Sequence, residues 1–89
     1  RNLVNAWFGR GIANGKLGQQ ADAVADFSRG IELDGKVANA WYNRGVAYSK
    51  LGKYAEAVDD FTQAIALDPK DADQLSASLF TVPHRQLVA

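Results

Sequence analysis

The side chains that could carry out acid–base or nucleophilic chemistry are few in this chain of 89 residues and form no recognisable catalytic set. His84 is the only histidine and there is no cysteine, so neither a cysteine nucleophile nor a thiolate metal site is available. Asp22 and Asp26 share one face of a predicted helix at the i, i+4 spacing, whereas the adjacent Asp59 and Asp60 point in different directions. We interpret the Asp22–Asp26 face as a solvated acidic surface, and the geometry of Asp59 and Asp60 is poor for binding one metal ion. The sequence therefore predicts a protein that is not an enzyme and that holds no metal and no cofactor.

The charged side chains alternate along the chain in blocks of one sign. Residues 1–18 and 35–53 contain Lys and Arg without any acid, whereas Asp and Glu dominate residues 19–34 and 54–69. Over the whole chain ten basic residues balance ten acidic ones, which argues against a nucleic-acid partner, because phosphate contacts need a basic excess. The blocks have two interpretations: charge segregated onto two faces of the fold, or solubilising charges that pair between helices.

The positions that hold these side chains recur at an interval of 34 residues. Aligning residues 4–37 with residues 38–71 gives 18 identities in 34 positions. A period of this length is typical of stacked units that bury their apolar faces only against their neighbours. The predicted organisation is therefore a lead at 1–3, a first repeat at 4–37, a second repeat at 38–71 and a remainder at 72–89.

Each repeat has the apolar spacing of two helices separated by a glycine turn. In the second repeat the first helix carries Trp41 and Tyr48 and stops at Gly52, and the next apolar stripe runs from Tyr54 to Leu67. The first repeat follows the same pattern. The sequence thus predicts an all-α fold of antiparallel helix-turn-helix units, stacked as an α-solenoid of about five helices.

A glycine recurs inside the first helix of each repeat, as Gly11 and Gly45. Glycine in a helix interior costs about 1 kcal/mol relative to alanine, so its presence needs a reason. We expect it to allow close approach of a neighbouring helix, with the aromatic side chains filling the space between helices.

The interval and these residues resemble the tetratricopeptide repeat, whose pattern is W-x2-L-G-x2-Y, A-x3-F and then P. The second repeat reads Trp41-x2-Arg44-Gly45-x2-Tyr48, Ala57-x3-Phe61 and Pro69. The first repeat departs further, with Asn14 in place of Tyr and Gly35 in place of Pro, and both repeats have Arg in place of Leu. The resemblance covers 68 of 89 residues. It implies helix pairs stacked around a concave groove that binds a peptide or a protein.

The resemblance also implies which side chains face the groove, because the first helix of each tetratricopeptide repeat lines it. These residues, called the inner face below, are Asn5, Phe8, Ile12, Lys16, Asn39, Tyr42, Asn43, Val46 and Lys50. Side-chain amides such as Asn43 can hold a peptide backbone through paired donor and acceptor atoms. Phe8 and Tyr42 offer apolar contact to a ligand or, alternatively, pack between helices. The lysines attract negative charge, so we expect an acidic protein or peptide segment as the partner.

Residues 72–89 begin like a third repeat and then lose its pattern. Leu75 and Leu79 lie one helical turn apart, and Pro83 ends the predicted helix. We expect a capping helix over about 72–82, and the alternative is a loose tail or one that docks on a neighbouring molecule. An incomplete last repeat also predicts a homo-oligomer formed through residues 72–89. A structural, self-assembling spacer is therefore the alternative to a peptide-binding adaptor.

Two features of the whole sequence bear on its location. No apolar run approaches the roughly 20 residues that a membrane-spanning helix needs. The chain begins with Arg1 and shows no leader of basic and then apolar residues, so we expect a fragment or processed form of a longer protein. The lack of cysteine leaves the compartment open, with the cytoplasm as the preferred expectation.

Overall fold

The computed structural model describes residues 3–69, which form four α-helices and, within that range, no strand. The helices are α1 (Leu3–Lys16), α2 (Gln20–Leu33), α3 (Ala38–Lys50) and α4 (Tyr54–Leu67). α1 packs on α2 and α3 on α4, α2 packs on α3, and α1 also contacts α3. The predicted all-α class of stacked helix pairs is confirmed. The predicted fifth helix, over 72–82, lies outside the described residues.

Each helix pair turns at a glycine with left-handed backbone geometry. Gly18 has φ +84° and Gly52 has φ +79°, which residues with a Cβ rarely adopt. In the second turn the N–H of Gly52 donates to the carbonyl of Ser49 and the N–H of Lys53 to that of Tyr48, both at 2.9 Å. These two bonds form a Schellman motif, which satisfies the last carbonyls of α3 and sends the chain back toward α4.

The helical glycines make room for aromatic rings. A Cβ on Gly11 would lie 2.8 Å from Cε1 of Phe27, and one on Gly45 would lie 2.7 Å from Cε1 of Phe61. Any larger residue would therefore displace the ring. The predicted close approach of helices at the two glycines is confirmed.

The core that joins the two repeats is small. Ala23 and Phe27 of α2 and Ala47 of α3 form its buried cluster, and Phe8 and Val24 pack against it. Since Phe27 is the only large side chain in that cluster, the helices approach closely across alanine and glycine rather than across large aliphatic residues.

The segment between the repeats is held by side-chain hydrogen bonds. The indole N–H of Trp41 donates to the carbonyl of Gly35 at 2.9 Å, and the N–H of Lys36 donates to Oδ1 of Asp34 at 3.1 Å. The N–H of Asp34 itself bonds to the carbonyl of Gly30 at 2.8 Å. Together these bonds fix the direction in which the chain enters α3.

Candidate functional site

Most of the inner face is open to solvent. The exposed members are Asn5, Ile12, Lys16, Asn39, Tyr42 and Lys50. Ile12 keeps 43% of its surface exposed and Tyr42 keeps 39%, so both offer apolar surface to solvent on this face. Because α1 touches α3, the two helices present these side chains on neighbouring elements.

Phe8 is half-buried and takes part in packing. Its ring lies so close to α2 that a Cβ on Gly30 would overlap it, and the ring also packs against the core cluster. For Phe8 the structure therefore supports the interpretation as an inter-helix packing residue. Asn43 and Val46 are half-buried as well.

Tyr42, at the position equivalent to Phe8, is held differently. Its ring centre lies 5.5 Å from that of Phe61, in a tilted arrangement. The residue equivalent to Gly30 is Ala64, which carries the Cβ that Gly30 lacks. The tyrosine thus contacts the core on one side and remains exposed on the other.

Lys16 and Lys50 are the last residues of α1 and α3. Both are exposed, and neither forms an ion pair with any of residues 3–69. A cation at a helix C-terminus interacts favourably with the helix dipole, so both lysines stabilise their helices and still leave their charges available to a ligand.

The expectation that Asp26 belongs to a solvated acidic surface is wrong. Asp26 is 3% exposed and accepts two hydrogen bonds from the guanidinium of Arg10, at 2.8 and 2.9 Å, and one from Nδ2 of Asn14 at 2.9 Å. The same pair recurs in the second repeat, where Asp60 is 3% exposed and bonds twice to Arg44, both times at 2.8 Å. A buried carboxylate needs such a bidentate partner to offset its lost hydration.

Both ion pairs lie against tryptophan. The guanidinium carbon of Arg10 is 5.1 Å from the centre of the Trp7 ring, and that of Arg44 is 5.1 Å from the Trp41 ring. Arg44 is the better enclosed of the two, with 17% of its side chain exposed against 65% for Arg10. Its Nη1 also donates to Oγ of Ser28 at 3.0 Å, which ties the second repeat to α2.

The ion pairing shifts the pKa values of Asp26, Arg10 and Arg44. The hydrogen bond from Arg10 lowers the pKa of Asp26 below its ordinary value, against the opposing effect of burial. The partner carboxylates raise the pKa of both arginines above the usual value. Asp26, Arg10 and Arg44 are therefore charged at neutral pH.

Pairing between helices thus explains part of the alternating charge of the sequence. Arg10 and Arg44 pair across to the following helix, so part of the basic and acidic charge cancels between helices rather than separating onto two faces. The signal was available in the sequence, since Arg and Asp recur 16 residues apart in both repeats. Pairing between helices is one of the two interpretations of the charge blocks, but that interpretation does not name the partners, because the arginines stand at the leucine position of the repeat pattern.

Two further features are absent from residues 3–69, a metal-binding cluster and a membrane-spanning helix. No group of three or more His, Cys, Asp or Glu side chains in that range is arranged to hold a metal ion. None of the helices in the same range is long and apolar enough to cross a membrane.

Two models of known protein families match the sequence of this chain. The family model described as "Tetratricopeptide repeat" matches residues 38–71, and the one described as "TPR repeat" matches residues 16–52. Together the matches run from residue 16 to residue 71, which is more than half of the chain. The chain belongs to the tetratricopeptide repeat (TPR) family. A search of curated proteins finds no match.

TPR units generally mediate protein–protein interaction and scaffolding and are typically non-catalytic. In this TPR chain the arginines at the leucine position of the pattern bond to the buried Asp26 and Asp60 of the following helices, so the pairs join the two helices of each repeat.

Proposed function

We propose that this TPR protein is a non-catalytic adaptor that binds a peptide segment on its inner face, with preference for an acidic segment. The observation that carries the proposal is the exposure of two large apolar groups, Ile12 at 43% and Tyr42 at 39%, beside exposed lysines and amides. Apolar anchors surrounded by polar groups are the usual composition of a recognition surface.

The polar groups have separate roles in this proposal. Asn39 and Asn43 hydrogen-bond the peptide backbone and set its register. Lys16 and Lys50 contribute mainly to the association rate and to discrimination against basic peptides, because exposed charges add little to static affinity.

The test compares acidic and basic peptide libraries on wild type and on the Lys16→Glu/Lys50→Glu variant. Wild type should prefer acidic peptides, and the double variant should lose that preference. The matched control is Lys36→Glu/Lys53→Glu, which makes the same change in charge at exposed lysines outside the inner face and should keep the preference. Absence of an acidic preference in wild type, or its survival in the Lys16/Lys50 variant, would contradict the proposal.

A second candidate function is self-assembly, and it is favoured by the outer face of α4. Val58 is 60% exposed and Ile65 is 48% exposed, whereas their equivalents in α2, Val24 and Ile31, are half-buried under α3. α1 shows the complementary difference, because Ala13 is exposed while its equivalent in α3, Ala47, is 2% exposed.

The pattern supports a head-to-tail contact in which α1 of one copy packs on α4 of another, as α3 packs on α2 within the chain. The earlier prediction of assembly through residues 72–89 concerns a segment outside the described residues.

A further inference from the structure

A cleft of about 310 Å³ lies between α3 and α4 on the side away from the inner face residues. Trp41 and Tyr48 of α3 line it together with Glu56, Asp59 and Gln63 of α4. The Arg44–Asp60 pair completes the lining, and its opposite charges are joined by two hydrogen bonds. The cleft therefore offers aromatic surface and two further carboxylates.

The equivalent place in the first repeat holds arginine side chains beside a tryptophan ring. Trp7 has two guanidinium groups near its ring, Arg10 at 5.1 Å and Arg29 at 5.9 Å from the ring centre. Among residues 3–69, Trp41 has only one, that of Arg44. The residue equivalent to Arg29 is Gln63, so the second repeat lacks the group that covers the first tryptophan.

The cleft of the second repeat is also more negatively charged than the equivalent place in the first repeat. Glu56 replaces Asp22 of the first repeat without a change in charge, but Asp59 replaces Ala25. The second repeat thus has one more carboxylate and one fewer guanidinium than the first. Neither Glu56 nor Asp59 forms a hydrogen bond or an ion pair with any residue between 3 and 69.

We propose that this cleft binds an arginine side chain of a protein partner, with the guanidinium on the Trp41 ring between Glu56 and Asp59. Arginine fits better than lysine, because its flat guanidinium stacks on an aromatic ring while its N–H groups reach carboxylates in the plane. The site is independent of the proposed acidic peptide, since it lies on another face and takes a ligand of opposite charge.

The experiment follows the two tryptophan indole signals in ¹H–¹⁵N spectra of the full chain. The probes are three short capped peptides that differ only in a central arginine, lysine or citrulline, the last being an uncharged isostere of arginine. The arginine peptide should shift the Trp41 signal saturably and leave that of Trp7 unchanged. The lysine peptide should bind several-fold more weakly, and citrulline about tenfold more weakly, as loss of the cation–π contact and of two exposed ion pairs requires.

Three variants make the test specific. Glu56→Gln/Asp59→Asn should weaken arginine binding about fivefold through the loss of two exposed ion pairs. Gln63→Arg gives the second repeat the guanidinium of the first and should compete with the peptide and weaken its binding. The matched control is Asp22→Asn in the first repeat, which should leave the affinity unchanged. All four positions are exposed, so folding should be preserved.

Several results would overturn the proposal. They are equal binding of the arginine and citrulline peptides, equal binding of lysine and arginine, or an unchanged affinity in Glu56→Gln/Asp59→Asn. A further variant tests the chain's own Arg85, which lies outside the described residues, as an alternative occupant. The variant Arg85→Ala should leave the peptide affinity unchanged, and a several-fold gain would identify the chain's own arginine as the occupant and contradict binding of a partner.

Discussion

At the scale of single residues, the unusual feature of each repeat is a buried aspartate paired with an arginine that stands where the family pattern has leucine. Asp60 is 3% exposed, and Arg44 is the cation that bonds to it. Replacing such a pair by apolar residues is often neutral, but removing one partner leaves an uncompensated charge in the interior. Neither residue can therefore be changed alone without cost.

A double-mutant cycle tests this dependence. Arg44→Leu and Asp60→Ala should each lower the free energy of unfolding by about 3–5 kcal/mol, whereas the double variant should lose clearly less than the sum. Urea unfolding followed by circular dichroism gives the values.

The control for the cycle is Arg29→Leu, because Arg29 pairs with Glu32 where both side chains are more than half exposed. Its cost should stay below about 1 kcal/mol, as for other surface pairs. Additive losses in the Arg44 and Asp60 variants would show that the two residues stabilise the fold independently.

At the scale of helices, one glycine decides how an inner-face ring is held. Gly30 of α2 leaves the space that the Phe8 ring fills. The second repeat has Ala64 at the equivalent position, and there Tyr42 is 39% exposed. A glycine on the second helix thus accompanies the packed aromatic residue, and an alanine accompanies the exposed one.

Gly30→Ala should lower the free energy of unfolding by about 1–3 kcal/mol, because the new Cβ would lie 2.2 Å from Cε1 of Phe8 and would overpack the contact. The matched control is Gly9→Ala, also within a helix, whose Cβ would meet nothing within 4 Å. That change should raise stability by up to about 1 kcal/mol through helix propensity. Thermal melts of the two variants should shift in opposite directions, and a shift of the same sign would refute the packing argument.

At the scale of helices, the local features of the fold could be predicted from the sequence, whereas the contacts between helices could not. The 34-residue interval, the helical spacing and the glycine turns gave the helix pairs, because each is a local property of the chain. The pairing of Arg10 with Asp26 and the position of the Phe8 ring depend on contacts between helices. They could not follow from the periodicity of either helix alone. The inner-face residues came from the family resemblance, and their role as a binding site stays a prediction.

At the scale of the whole molecule, α1 and α4, the first and last helices described, carry the counterparts of residues that pack together between α2 and α3. Val24 and Ala47 share the core region between α2 and α3, and their equivalents on α4 and α1 are Val58 and Ala13. A contact built from two different surfaces has no two-fold symmetry and can continue from copy to copy.

Mixing two variants distinguishes this contact from a symmetric one. Wild type should increase in mass with concentration in sedimentation experiments, whereas Val58→Glu and Ala13→Glu should each remain near the 9.6 kDa of one chain. An equimolar mixture should form a dimer and nothing larger, because each variant keeps one intact surface. A wild type that stays monomeric, or single variants that associate as wild type does, would argue against assembly through these ends.

The Arg–Asp pairs also bear on how a chain of this kind could grow by duplication. Each pair closes within its own repeat, 16 residues apart, so a tandem copy of one 34-residue unit carries both the buried acid and its guanidinium. Adding or losing a whole unit therefore leaves no buried aspartate without its arginine. The number of repeats can change in a single genetic event without a compensating substitution elsewhere in the chain.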